Sequence, residues 1–210
     1  YNVYGQRYDD TGKAQGSEFL INTGASGNQY YSSVAQHDDG FVVTWYDTDG
    51  SNDSQTGSSW DVFAKTFTTK DGTTSVDTPI TKVDEFLVNT FTTEYQQHPD
   101  VTSLKDGGFV VTWHSEKQDG DGNNDWNIYG QRYDKDGNPL NAPGSDKGEF
   151  LINSYTSGDQ YYASTTGLAD GGFVVTWTDA SGGSHGGSGL DVFAQCYDKD
   201  GNAVGDEFRV

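Results

Sequence analysis

The segment Phe41-Val42-Val43-Thr44-Trp45 constrains the fold of this chain more than any other feature of the sequence, because it occurs three times. It returns at 109–113 and at 173–177, which defines a repeat of about 64 residues. A unit of this size is one supersecondary structure that buries its apolar faces against neighbouring copies. The chain is therefore expected to be a tandem array of similar units.

Two further blocks follow the same spacing and extend the repeat. The segment 2–8 recurs at 61–67, 127–133 and 191–197, and the segment 18–22 recurs at 85–89 and 149–153, with a partial copy at 207–210. Each full unit therefore predicts four short strands, A near 30–35, B at 41–45, C at 61–67 and D at 85–89. The chain divides into a half repeat at 1–23 and full repeats at 24–90, 91–155 and 156–210.

The pattern within each unit predicts an all-β fold. Strand B alternates large apolar residues on one face with Val and Thr on the other, the period of a packed strand. The turn Lys105-Asp106-Gly107-Gly108 between strands A and B is a strong hairpin signal. Four antiparallel strands per unit are typical of a β-propeller blade, so we predict about 3.5 blades. The alternative is a series of stacked β-sandwich-like sheets.

Charge and hydropathy exclude several classes of partner. The chain of 210 residues carries 32 acidic and 12 basic side chains, a net charge of −20. Such a surface repels nucleic acid and anionic membranes, and it attracts divalent cations. The apolar runs are far too short to span a bilayer, so no membrane insertion is expected. Because the chain lacks Met and opens in a strand-like segment, we interpret it as a piece of a longer or processed polypeptide.

The loops between strands B and C are candidate calcium sites. The ion takes six to eight oxygen ligands from flexible loops that glycine relieves. The first loop offers Asp47, Asp49 and Asp53 and the second offers Asp119, Asp121, Asn123 and Asp125, so Ca²⁺ is the expected cofactor. Neither loop is an EF-hand, and a solvated acidic turn is the alternative interpretation.

A second set of candidates is aromatic. Tyr30, Tyr31, Tyr161 and Tyr162 precede strand A in two copies, and Trp60 and Trp126 precede strand C. Aromatic faces beside acidic and amide groups suit stacking on sugar C–H groups and hydrogen bonding to hydroxyls. These six residues are the predicted ligand-binding set, with packing in the core or at its rim as the alternative.

No group of residues predicts catalysis. The four histidines occupy different columns of the repeat, and the single Cys196 lies at a strand position that other residues occupy in the other copies. The acids recur once per repeat, whereas catalytic residues usually break the symmetry of a repeat. The sequence therefore predicts no catalytic residue and a chain that is not an enzyme.

The order of these blocks also resembles a known type of repeat. The pattern runs Asp-Gly-Gly-Phe-Val-Val-Thr-Trp at 170–177, then an Asp/Gly-rich loop, then Asp-Val-Phe-Ala-Gln at 191–195, then Asp-x-Asp-Gly-Asn and Glu-Phe. It is similar to repeats of very large secreted bacterial proteins that carry haemolysin-type calcium repeats, cadherin-like modules and adhesin architectures. The resemblance covers nearly the whole chain. It implies an extracellular or cell-surface location.

Three functions follow from the sequence. The first is a non-catalytic structural or adhesive module that calcium stiffens, the second is a lectin-like carbohydrate-binding propeller, and the third is a propeller glycosidase or lyase. The expected partners are further repeats of the same parent protein or another copy of the chain, and glycans for the second function.

Overall fold

A computed structural model describes residues 1–24, 27–37, 40–48, 60–71, 74–143, 148–182 and 189–210. All regular elements in these ranges are β-strands, as the repeat pattern predicts. No helix in the described part of the chain is long and apolar enough to cross a membrane.

Fifteen strands follow one another along the chain. They are β1 (Tyr4–Tyr8), β2 (Ala14–Leu20), β3 (Gln29–His37), β4 (Gly40–Asp47), β5 (Asp61–Asp71), β6 (Thr74–Leu87), β7 (Gln96–Ser103), β8 (Phe109–Glu116), β9 (Trp126–Tyr133), β10 (Pro139–Leu140), β11 (Phe150–Leu151), β12 (Gln160–Gly167), β13 (Phe173–Asp179), β14 (Asp191–Tyr197) and β15 (Ala203–Arg209).

The strands form four antiparallel sheets in chain order. Strands β1 and β2 form a half-blade, β3 to β6 form blade one, β7 to β11 form blade two, and β12 to β15 form blade three. Within each blade the strands pair in the order A, B, C and D. Strands A of successive blades lie against each other, because β7 contacts both β3 and β12. The A strands thus line a common centre, which is the arrangement of propeller blades.

Strand D departs most from its predicted bounds. In blade one it begins well before the predicted 85–89 segment, as β6, whereas in blade two it is broken into β10 and β11, which both pair with β9. Pro139 and Pro143 flank the start of this interruption, and proline has no N–H to donate to a sheet. Strand β6 runs through Pro79, however, so a proline by itself does not account for the break.

Apolar clusters between consecutive sheets hold the blades together. The alternating faces of strand B pack in opposite directions, so Trp45 lies with residues of the half-blade, Trp113 with residues of blade one, and Trp177 with residues of blade two. All three tryptophans are fully buried. Burial of such aromatic side chains is the main stabilising term of each junction.

Two polar side chains of the third block also join neighbouring sheets. The asparagine that ends the block accepts a hydrogen bond from strand C of its own blade, 2.7 Å from the Val62 N–H to Asn89 Oδ1, and donates to the next sheet, 3.4 Å to Gln96 Oε1. The glutamate of the block accepts a backbone N–H from the preceding repeat, for example 2.7 Å from Thr23 to Glu85 Oε2. The same contacts recur at Asn22, Asn153, Glu149 and Glu207.

Candidate functional site

Each A strand carries a bulge at the same column of the repeat. The pairing with strand B shifts between Tyr30 and Ser33, between Gln97 and Asp100, and between Tyr161 and Ser164. A non-glycine residue at each bulge has positive φ, namely Tyr31 at 52°, His98 at 49° and Tyr162 at 57°. This conformation is costly for a bulky residue and is concentrated at functional sites. Bulges also redirect side chains.

The three bulge side chains converge, because the A strands lie side by side. The ring centroids of Tyr31 and His98 are 3.8 Å apart, and those of His98 and Tyr162 are 4.8 Å apart. The two tyrosines remain 60% and 59% exposed, while His98 between them is half-buried. Together the triplets 31–33, 98–100 and 162–164 line an open cleft of about 310 Å³. We name it the axial cleft.

Asp100 supplies the carboxylate of the axial cleft and connects all three A strands. Its Oδ1 accepts a hydrogen bond of 2.8 Å from Ser33 Oγ, and its Oδ2 accepts one of 2.7 Å from the Thr165 N–H. The first partner lies in blade one and the second in blade three. Because serine stands in the same column of both neighbouring repeats, the carboxylate is specific to blade two.

Two neutral imidazoles lie at one side of the axial cleft. The rings of His98 and His114 are 4.9 Å apart. Burial, and secondarily the neighbouring His98, lower the pKa of His114 to about 3, and burial also lowers the pKa of His98. His114 Nδ1 accepts a hydrogen bond of 3.4 Å from the Tyr162 N–H, which requires the neutral ring. The cleft therefore presents apolar aromatic faces rather than cationic ones.

A row of stacked rings continues from the axial cleft into blade one. Tyr31 stacks on Tyr46 at 5.8 Å, and Tyr46 stacks on Trp60 at 5.6 Å. Burial raises the pKa of Tyr46 to about 12, with smaller contributions from Tyr31 and other tyrosines. The row holds Tyr31 in place from behind while its outer face remains open.

The structure separates the six predicted ligand-binding residues into two groups. Tyr31 and Tyr162 line the axial cleft, whereas the other four pack behind it. Trp126 packs edge-on against His114, and Tyr161 packs edge-on against Tyr162. Tyr30 contacts Tyr46, and Trp60 contacts Tyr46 and Tyr95.

Sequence reasoning missed His98, His114, Asp100 and Tyr46. The signal for His98 is its column, since it occupies the position of Tyr31 and Tyr162 in the second repeat. The four histidines were compared only with one another, so His98 was not grouped with the tyrosines that share its column. The other three could not be identified from their residue types alone.

The predicted calcium ligands of the second loop bond within the chain. Asp121 accepts hydrogen bonds from the N–H and side-chain amide of Asn123 at 2.8 and 2.7 Å. Asp119 accepts one of 3.1 Å from the Asn127 side chain, and Asp125 accepts one of 2.8 Å from the Gly158 N–H. Among the described residues no group of three or more His, Cys, Asp or Glu side chains is arranged to hold a metal ion.

The first loop lies largely outside the described residues, including Asp49 and Asp53. Asp47 is described and belongs to blade one, where it is buried and accepts a hydrogen bond of 2.9 Å from Gln29 Nε2. Its position at the end of β4 gives it a structural partner. Calcium binding at both loops stays a prediction.

Comparison with known proteins identifies the type of fold but does not identify a family. No family model matches the chain, and no curated protein matches it. A protein of unknown function from Dyadobacter fermentans is 16% identical, with a TM-score of 0.50 over 90% of this chain and 56% of that chain. A thermostable family-43 glycoside hydrolase is 13% identical, with a TM-score of 0.47 over 89% of this chain and 54% of that chain.

A third similar structure is the Bacteroides ovatus protein described as xyloglucan PUL GH43B. It is 15% identical, with a TM-score of 0.44 over 89% of this chain and 33% of that chain. The chain thus spans about half the length of the first two structures, or less of the third. At these identities the likeness shows the fold alone, an all-β array of propeller type.

These likenesses correct one conclusion from the sequence. The prediction that the chain is not an enzyme used the repetition of its acids as evidence against catalysis. Glycoside hydrolases of family 43 are among the similar structures, so an array of this type gives no ground for that exclusion, and the prediction was wrong.

Proposed function

We propose that the axial cleft binds a carbohydrate. The observation that carries the proposal is the pair of exposed tyrosines, Tyr31 and Tyr162, held in a costly backbone conformation on either side of His98. Strain at three equivalent positions is retained only where the surrounding structure fixes it. Here it directs two broad aromatic faces towards solvent, as stacking on the C–H face of a pyranose requires.

The polar groups of the axial cleft match the hydroxyls of a sugar. Ser32, Ser33 and Ser164 line the cleft, and a serine hydroxyl both donates and accepts. The Asp100 carboxylate has further lone pairs beyond the two hydrogen bonds that it accepts from Ser33 and Thr165. A cleft with apolar walls and a few convergent polar groups is the usual form of a small-molecule site.

The charge of the chain selects among glycans. A net charge of −20 and a carboxylate in the cleft disfavour uronic acids and sulfated sugars. The neutral state of His98 and His114 removes the cations that would offset this repulsion. Neutral oligosaccharides are therefore the expected class of ligand.

A glycan array followed by calorimetry on the best neutral oligosaccharide tests the proposal. Replacing either tyrosine, Tyr31→Ala or Tyr162→Ala, should weaken binding about tenfold, because one stacking contact contributes on the order of 1 kcal/mol. Tyr8→Ala is the matched control, since Tyr8 is equally exposed but lies outside the cleft. Equal affinity for all three variants, or no glycan bound at millimolar concentration, would refute the proposal.

The same samples report on hydrolysis. Two-carboxylate glycosidases need a second acid roughly 5 to 9.5 Å from the first. Asp100 is the carboxylate among the described residues that line the axial cleft. Turnover of chromogenic glycosides that Asp100→Ser abolishes would assign the cleft to hydrolysis. Serine is the conservative choice, because the neighbouring repeats have it in that column.

A further inference from the structure

The half-blade consists of β1 and β2, which correspond to strands C and D, and two of its tyrosines are more exposed than their counterparts in the three blades. Tyr4 is 55% exposed, whereas Phe63, Tyr129 and Phe193 in the same column are 7%, 6% and 5% exposed. In blades one and three the residue of this column stacks on the tryptophan of strand B, at 6.5 Å for Trp45 with Phe63 and 6.4 Å for Trp177 with Phe193. Among the described residues, no tryptophan stacks on Tyr4.

Tyr8 repeats this observation at the other end of β1. Its counterparts Phe67, Tyr133 and Tyr197 are buried, and each stacks on the first phenylalanine of strand B. The three centroid distances are 5.0, 4.8 and 4.7 Å. In each of the three blades, strand B pairs with one edge of strand C. The equivalent edge of β1 carries two uncovered tyrosines, Tyr4 and Tyr8, with the same spacing as the Trp and Phe of strand B.

The inner strand of blade one, β3, also carries an exposed apolar residue. Val34 on β3 is 65% exposed, whereas Val101 in the same column of β7 is 5% exposed because β3 lies against it. A cavity of about 430 Å³ opens between β1 and this surface. Gly5, Arg7, Ser33, Val34 and Phe41 are among its lining residues.

We propose that the free edge of β1, with the surface beside Val34, is a docking site for one further A–B hairpin of this repeat. The three existing pairs set its register. Because Phe109 lies opposite Tyr133 and Trp113 opposite Tyr129, the Phe of the docked strand B lies opposite Tyr8 and its Trp opposite Tyr4. The docked strand A then lies beside β3 and covers Val34.

The occupant is a hairpin that this chain does not already use. The hairpins β3–β4, β7–β8 and β12–β13 are each paired with strand C of their own blade, at β5, β9 and β14. A second copy of the chain could donate one only by opening a blade. Hydrogen bonding along a free edge and two aromatic stacks both favour a strand of the same repeat over an unrelated segment.

An extended chain tests the proposal. A copy of residues 94–125 is joined directly to Tyr1, which reproduces the spacing in blade two, where residue 125 precedes Trp126. The control carries the same extension with F109D and W113D in the copied segment. Because the changes lie in the added segment, the 210 native residues are identical in both proteins.

We expect the extended chain to melt at least about 5 °C above the control, since it buries two tyrosines and an apolar cavity wall. The backbone amides of Tyr4–Tyr8 should exchange with deuterium more slowly than in the control. Equal melting temperatures and equal exchange would overturn the proposal. So would an unextended chain that forms a dimer with these amides already protected, because a second copy would then be the occupant.

Discussion

Asn89 ends the third block of blade one, and its side chain makes two hydrogen bonds to strand C of the same blade and two to the start of the next repeat. Its Oδ1 accepts from the Val62 N–H at 2.7 Å. Its Nδ2 donates to Asp61 Oδ1 at 2.8 Å, to the Phe91 carbonyl at 2.9 Å and to Gln96 Oε1 at 3.4 Å. Replacing Asn89 by alanine removes all four.

The cost of Asn89→Ala follows from the burial of the groups left behind. Val62 and Asp61 are 0% and 1% exposed, so water does not readily replace the lost partners. A buried group deprived of its hydrogen bond costs about 1 to 3 kcal/mol, and more when it is charged. The Val62 N–H loses its acceptor and Asp61 loses one of its hydrogen bonds, which together give a loss of about 3 kcal/mol in the free energy of unfolding. For a chain of this size that corresponds to a fall in Tm of about 10 °C.

Denaturant and thermal unfolding followed by circular dichroism measure this loss. Asn138→Ala is the matched control, because Asn138 lies on an exposed turn and bonds Asp134 at 2.9 Å. A surface substitution of this kind should cost less than about 1 kcal/mol. If Asn89→Ala is no more destabilising than Asn138→Ala, the asparagine does not stabilise strand C of its blade and the reasoning fails.

Three further predictions concern pH, calcium and association. The unfolded chain binds a proton at His114 near pH 6.5 and the folded chain only near pH 3, so the free energy of unfolding falls as pH drops through this window, by about 2 kcal/mol from pH 6.5 to 5. His114→Tyr introduces the residue type that Tyr46 has in this column, and it should flatten the dependence of stability on pH. An unchanged slope contradicts the assignment to His114. Millimolar calcium should raise Tm at matched ionic strength, and less so in Asp121→Ala; equal midpoints with calcium and with chelator would exclude the site. Light scattering should show association of the isolated chain of 22.8 kDa through blade three rather than a compact monomer, because Val210, which follows β15, is 75% exposed while Ile21, Val88 and Ile152 in its column are buried.

Local pattern was sufficient for most of the strands. The predicted B segment 41–45 lies within β4, and the predicted C segment 61–67 begins β5, because strict alternation and glycine turns act over a few residues. The bounds of strand D were harder to predict, because its length depends on how far its partner strand extends. In blade two strand D is in two pieces, and the block 149–153 contributes only the two residues of β11.

The axial cleft was predicted only in part. Tyr31 and Tyr162 were identified as aromatic residues ahead of strand A, but the residue between them was not, because His98 differs from them in type. The three are separated by more than sixty positions along the chain and meet only when three A strands lie side by side. The hydrogen bonds by which Asp100 connects the blades could not be predicted either, because its partners Ser33 and Thr165 belong to two other blades.

The repeat, the all-β class and the direction of alternation in strand B follow from the sequence, because they depend on residue order within one unit. Which columns meet between units depends on how the blades pack in the folded chain. Asp47, predicted from its acidic loop to be a calcium ligand, is buried and bonded to Gln29, and Tyr31 faces solvent while its neighbour Tyr30 packs inward. The physical reason is that a side chain's surroundings depend on the bulge in its strand and on the blade packed against it, and neither is encoded within five or ten residues of its position.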